Sequence, residues 1–198
     1  FIGGGNSNAI TGSGGYKGAI VGGSANSVSG WYSFIGAGYN NRICGIYAST
    51  ISGGYQNVVC SGCRGTIGGG QGNIVYGPWA TIGGGQNNTA SCYRSVVGGG
   101  LANSAQASYS TVSGGYGNVA SGVCSTVAGG YTNIASGSYS SVLGGSSNTV
   151  TGDFSGAVGC GITASASRTF YSNNFCATAY IYASAFYETS DCRLKNIH

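Results

Sequence analysis

Ten Asn residues recur in the frame Val/Ile-x-Gly-Gly-x-x-Asn: Asn8, Asn26, Asn41, Asn57, Asn73, Asn88, Asn103, Asn118, Asn133 and Asn148. An Asn amide hydrogen-bonds its own turn, and identical Asn residues stacked unit on unit form a ladder. Asn is a weak metal ligand and no acidic residue accompanies the column, so the expectation is a structural ladder, clearest at Asn88, Asn103, Asn118 and Asn133. Two further columns carry rings. The residue after the Gly pair reads Tyr39, Tyr55, Gln71, Gln86, Leu101, Tyr116 and Tyr131. The residue three before the first apolar position reads Tyr32, Arg64, Trp79, Arg94, Tyr109 and Tyr139. Exposed aromatics among Asn, Gln and Arg suit sugar stacking and hydrogen bonding. The plainer reading packs the rings on neighbouring units or chains. Tyr39, Tyr55, Tyr116, Tyr131 and Trp79 are the receptor-binding candidates.

Other chemistry is poorly provided for. The chain has 3 acidic residues, Asp153, Glu188 and Asp191, which make no credible carboxylate pair for acting on glycans. His198 is the single His, at the chain end, and supports no Ser–His or Cys–His chemistry. Cys60-x-x-Cys63 lacks a second pair at zinc spacing and a nearby His. No metal, no cofactor and no enzymatic activity are expected.

The elements that hold these columns follow from composition. Of 198 residues 41 are Gly, 1 is Pro and none is Met, with 7 basic and 3 acidic side chains. Gly follows no three-residue period, so collagen is excluded. Low charge argues against a charged disordered chain. No apolar run approaches the ~20 residues of a membrane helix, so membrane insertion is not expected. The cations are scattered along the chain at Lys17, Arg42, Arg64, Arg94, Arg168, Arg193 and Lys195, without a nucleic-acid stripe. Gly recurs too often for helices before residue 162.

Each unit reads as two short strands and two tight turns. Strand one is like Tyr109-Ser110-Thr111-Val112 and ends at Gly114-Gly115; strand two is like Asn118-Val119-Ala120-Ser121 and ends at Gly122. Alternation points Val112 and Ser110 one way and Thr111 and Tyr109 the other. Adjacent Ser and Thr on opposite faces do not make the flat Thr-x-Thr face of an ice-binding solenoid. The expected fold is all-β, a β-solenoid or β-roll of ~15-residue two-strand coils stacked at ~4.8 Å, so that ten coils span about 48 Å. One Val/Ile and one Ala/Val per coil make a thin core, worth ~2–4 kcal/mol by area against a larger ordering cost. That predicts an obligate parallel homotrimer in which chains share the core and cover strand edges.

The units resemble the head repeats of trimeric autotransporter adhesins, and more closely the Val-Gly-Gly-Gly-x-x-Asn-x-Ala-Ser-Gly arrays of phage tail fibres. The resemblance covers residues 1–152 and implies a trimeric shaft or head. Assembly in a reducing cytosol implies free thiols for the eight Cys, with Cys44, Cys60 and Cys124 as small apolar fillers of repeat positions.

Residues 153–189 are expected to form an aromatic-rich neck; the run from Ala177 to Tyr187 reads equally as strands or as a short helix. Ser190-Asp191-Cys192-Arg193-Leu194-Lys195-Asn196-Ile197, within a terminal segment 190–198, resembles the start of the intramolecular chaperone domain of the endosialidase type, which follows tail fibres, assembles three chains and cuts itself off. One residue of the family pattern is missing after Lys195. The resemblance implies cleavage between Ser190 and Asp191, with Ser190 as nucleophile and Lys195 as base, active only in a longer parent chain. A Lys takes a Ser proton only when burial lowers its pKa, and the rest of the chaperone domain would supply that burial. The start at Phe1 without Met likewise points to a longer parent. Together these imply a virion tail fibre that attaches to a host-surface glycan or protein. The alternative is the head of a bacterial cell-surface trimeric adhesin, located at the extracellular cell surface.

Overall fold

A computed structural model describes residues 1–11, 17–44, 47–60 and 64–173 of the chain. They contain no helix. Short strands, from β1 (Ala9–Ile10) to β22 (Phe170–Ser172), wind into a β-solenoid. Odd-numbered strands pair only with odd and even only with even, which gives two parallel 11-stranded sheets. The all-β coil expected from the repeat is the fold observed.

One coil shows why the sequence folds this way. β14 (Thr111–Val112) leads into a first turn over 113–117; Asn118 then opens β15 (Val119–Ala120). A second turn over 121–124 and Ser125 return the chain to β16 (Thr126–Val127), which lies on β14 with Thr126 beside Thr111 and Val127 beside Val112. At the first turn Gly115 sits at φ 89°, and a Cβ there would be driven into the Gly130 carbonyl of the next coil, so only Gly fits. Val112 and Ser110 point inward and are fully buried, while Tyr109 points out.

The inward columns run from Ile20 and Val28 to Ala157 and Ala164, all at 0% exposure. A single chain closes this core. The two sheets face each other one side chain deep, so the columns expected to be shared between chains are already covered within one. Burial of one Val or Ile stabilises by ~1.5–3 kcal/mol. The backbone adds to it, because the strand N–H groups donate alternately to the next and the preceding coil, as Thr111 does to Ser125 at 2.9 Å in the next and Ile20 to Phe1 at 2.8 Å in the preceding one.

Coil stacking runs past the boundary expected at residue 152. β21 (Thr163–Ala164) pairs with β19 (Thr149–Val150), and β22 pairs with β20 (Gly156–Cys160). This coil lacks one residue. Val142 faces Ala157 but Gly144 faces Val158, a bulge that absorbs the deletion. Ala164 therefore stands opposite Val150 in the inward column, and Ile162 occupies the Asn position, its N–H donating to Asn148 Oδ1 at 3.0 Å. The later part of the expected neck, with Ser190, Asp191 and Lys195, lies outside the described residues.

The cysteines require a correction. Cys44 and Cys60 are joined in a disulfide rather than free. They hold the same repeat position in adjacent coils, where the stacking brings their Cα atoms to 4.8 Å, within the span a disulfide requires. Cys92, Cys124 and Cys160 are free thiols.

Candidate functional site

The two turns lie at opposite ends of the two-residue strands, so the solenoid has two edges, and both carry the columns that sequence singles out. Inside the first edge the Asn side chains tie coil to coil. Asn103 Nδ2 donates to Gly99 O of its own turn at 2.9 Å and to Gly115 O of the next at 2.8 Å, and its Oδ1 accepts the Asn118 N–H at 2.9 Å. Asn118 repeats the pattern on Gly114, Gly130 and Asn133. The column continues from Asn8 to Asn148 with its amides hydrogen-bonded, and from Asn26 on each Asn is buried.

Outside the first edge the residue after the Gly pair bridges coil to coil from Ser24 through Tyr39 and Tyr131 to Ser146. Tyr39 and Tyr55 stack at 5.4 Å and 14°, Tyr116 and Tyr131 at 5.0 Å and 10°. Gln71, Gln86 and Leu101 separate the two pairs.

The second edge is built differently. Behind it runs a Ser column in place of Asn. Ser95 Oγ donates to Cys92 O at 2.8 Å and Ser110 Oγ to Ala107 O at 2.7 Å, bonds that stay within one coil. Ser49, Ser125 and Ser140 bury hydroxyls with no partner among the described residues. In front of it the rings and cations form a continuous ridge. Trp79 meets Tyr93 edge-on at 5.4 Å, and Tyr93 meets Tyr109 at 5.5 Å. The Arg64 guanidinium lies 5.6 Å over Trp79, and that of Arg94 lies 5.1 Å over Tyr93 and 6.0 Å over Tyr109. Lys17 sits over Tyr32 at 5.6 Å, and further along Tyr139 and Phe154 stack at 4.8 Å.

Backbone geometry separates the edges further. Each turn contains a residue at φ of about 50–65° whose N–H turns back to the preceding coil, and on the first edge a Gly such as Gly115 at φ 89° stands two residues before it. Thr132 N–H donates to Tyr116 O on the first edge, and Tyr109 N–H to Tyr93 O on the second. On the first edge this position holds small or amide residues, among them Asn40, Gly72, Asn87, Gly117 and Gly161. On the second edge it holds Tyr32, Ala48, Arg64, Trp79, Arg94, Tyr109, Cys124, Tyr139, Phe154 and Arg168, at φ between 50° and 60°. No Gly, Asn or Asp occurs among them, although those are the residues that tolerate this region; an L side chain there costs roughly 1–2 kcal/mol. Ring and cation–π contacts of about 0.5–1.5 kcal/mol offset part of the cost.

The structure thus splits the ring candidates. Tyr39, Tyr55, Tyr116 and Tyr131 share the first edge in two pairs; Trp79 lies on the second, away from them. Tyr93, Tyr47, Phe154 and Lys17 belong to the second edge and were not singled out by the sequence pattern. Tyr93 sits one residue before Arg94, so a single-column reading passes over it. Lys17 does fall three before the apolar Ile20, a spacing that marks it. The described residues enclose no pocket, so both edges meet their surroundings as open ridges. No protein-family model matches the chain, and no curated protein matches it.

Proposed function

We propose that the chain is a structural and adhesive segment of a phage tail fibre that serves attachment to the host cell, working as a parallel homotrimer in the virion. The observation that carries this reading is a stack of thin coils with exposed rings and amides repeated from coil to coil. Such a rod has reach and many weak contacts in place of a pocket, and repeated weak contacts give avidity. The resemblance of the units to tail-fibre arrays, and of the Ser190–Lys195 stretch to the self-cleaving chaperone, supplies the rest. In that reading Ser190 and Lys195 act once, in a longer parent chain, and the mature segment has no enzymatic role.

Since one chain closes its own core, trimer contacts fall to the outer sheet faces. One of these carries Val58, Ile74, Val119 and Ile134 in a single outward row. Native mass measurement tests the stoichiometry, and a stable monomer overturns the trimer. Attachment is tested by binding of the fluorescently labelled chain to host cells. Tyr39→Ala, Tyr55→Ala, Tyr116→Ala and Tyr131→Ala together, and Trp79→Ala separately, report which edge is used; retention of full binding in all of them overturns the aromatic receptor contact.

One observation favours the second reading, the head of a trimeric adhesin at a bacterial cell surface. Disulfides form and persist in oxidising surroundings, and Cys44–Cys60 is one. Sequence encoded downstream separates the two readings: a chaperone domain for the fibre, a coiled-coil stalk and membrane anchor for the adhesin.

A further inference from the structure

The cations scattered in sequence converge in the fold. Of the five described Lys and Arg residues, Lys17, Arg64, Arg94 and Arg168 all stand on the second edge in one column, and only Arg42 lies on a sheet face. No described residue gives the Arg64 or Arg94 guanidinium an ion pair, and each lies over a ring with its N–H fork still available. The one described acid, Asp153, is on the same edge four coils beyond Arg94, with Oδ1 accepting the Ser138 N–H at 2.7 Å. The backbone positions that hold Arg64, Arg94 and Arg168 favour Gly or Asn, yet along this column the sequence spends every such position on something else, mostly rings and cations.

We propose that the second edge, centred on Arg64, Trp79, Tyr93, Arg94 and Tyr109, binds a linear acidic polysaccharide laid along the solenoid axis. This names the ligand class within the attachment reading and rests on it. Arg64 and Arg94 are two coils apart, about 10 Å, with Trp79 between them. That alternation of charge and ring fits a glycan whose acid groups fall on alternate sugars: carboxylates pair with the guanidinium forks and the apolar sugar faces lie on the rings. A single nucleic-acid strand is the other polyanion that stacks on aromatics. It carries a phosphate on every nucleotide, a charge on each unit that one Arg every second coil does not match.

The test is titration of the full chain with hyaluronate, in which glucuronate and a neutral amino sugar alternate. Polygalacturonate, dextran and poly(dT) are run beside it. Saturable binding of hyaluronate is expected, several-fold weaker when salt rises from about 50 to about 300 mM. Arg64→Gln with Arg94→Gln is expected to weaken it at least tenfold, and Trp79→Ala roughly tenfold. All three side chains are on the surface, and an unchanged circular dichroism spectrum checks the coil. Leu101→Ser, exposed on the opposite edge and outside the candidate rings, leaves it unchanged. Equal binding of dextran, tighter binding of poly(dT), or indifference to the double Arg change overturns the proposal. So does binding to neither acidic polysaccharide. If in that last case the chain still binds host cells, the ligand class falls and attachment stands; if it binds no cells, attachment itself falls.

Discussion

The two edges of the solenoid solve one geometric problem in opposite ways. Both must reverse the chain within a few residues, and both turn one N–H back to the preceding coil from a residue at positive φ. The first edge invests in its inside. Gly accepts the backbone geometry, and an Asn such as Asn103 makes one hydrogen bond in its own turn and two that lock it to the next coil. The second edge has a weaker inside: the Ser95 and Ser110 bonds stay within single coils, Ser33 and Ser155 reach a neighbouring coil, three buried hydroxyls are unpartnered among the described residues, and Gly65 and Ala80 stand where Ser would. Its outside is the richer one, with rings and guanidinium groups on strained backbone. One edge holds the rod together and the other presents side chains. A solenoid can separate the two roles because each coil repeats both turns.

The largest effect that would sharpen this contrast is in the Asn ladder. Asn103→Ala with Asn118→Ala removes the amide bonds of two neighbouring coils and leaves buried carbonyls and N–H groups unpaired. We expect a loss of about 4–6 kcal/mol in unfolding free energy, read by thermal or denaturant melting. Ser110→Ala, the matching change on the second edge, is expected to cost about 1 kcal/mol. Equal losses would break the comparison.

Gly115→Ala comes next. Its Cβ meets the Gly130 carbonyl and lies 2.6 Å from Asn118 Nδ2, at φ 89°. The loss is expected at about 3 kcal/mol, because the next coil must move away from its ladder position.

These contrasts also show what was legible. The two-strand coil, the buried Val112 and Ser110 and the outward Tyr109 follow from period and alternation, which local chemistry fixes. The extra coil through Ser172 was not legible. A one-residue deletion at the bulge beside Gly144 shifts the repeat phase, so the period of fifteen points from Asn148 to Thr163 while Ile162 holds the Asn place in space. The convergence of Lys17, Arg64, Arg94 and Arg168 was hidden for a related reason: a column in this fold samples every fifteenth residue or so, and cations that far apart look scattered. The disulfide was a matter of surroundings rather than pattern. Cys44 and Cys60 share a repeat position, which stacking converts into a 4.8 Å neighbour relation, but the compartment assumed for the chain argued for thiols.

That disulfide gives a third prediction. It staples two coils at the strand ends that enter the second edge, beside the Ser-free stretch at Gly65 and Ala80. Cys44→Ser is expected to cost about 2–3 kcal/mol for a closed loop of this size. It should leave the first edge unaffected. Alkylation of the unreduced chain followed by peptide mapping checks the bond directly: Cys92, Cys124 and Cys160 are expected to react, and Cys44 and Cys60 only after reduction. A change in stability confined to the first edge, seen by hydrogen exchange at the Asn amides, would contradict the local staple.

The smallest effect has the opposite sign. Tyr109 sits at φ 60° with its ring exposed, in contact with Tyr93 and the Arg94 guanidinium. Replacing it by Asn supplies a residue that tolerates this backbone and removes the ring contacts. The backbone gain of ~1–2 kcal/mol exceeds the ~0.5–1.5 kcal/mol of the ring contact. Tyr109→Asn should therefore hold stability level or raise it by up to about 1 kcal/mol. Thr132→Asn, at the equivalent place on the first edge, offers a matched control in which little is lost outside and a similar small gain is expected. The pair is read by melting temperature together with ligand titration. If the second edge trades backbone ease for surface chemistry, Tyr109→Asn melts no lower and binds acidic polysaccharide more weakly, whereas Thr132→Asn changes stability alone. A clear drop in melting temperature for Tyr109→Asn would mean that the ring stabilises the coil more than the backbone opposes it. The second edge would then be a packing device like the first.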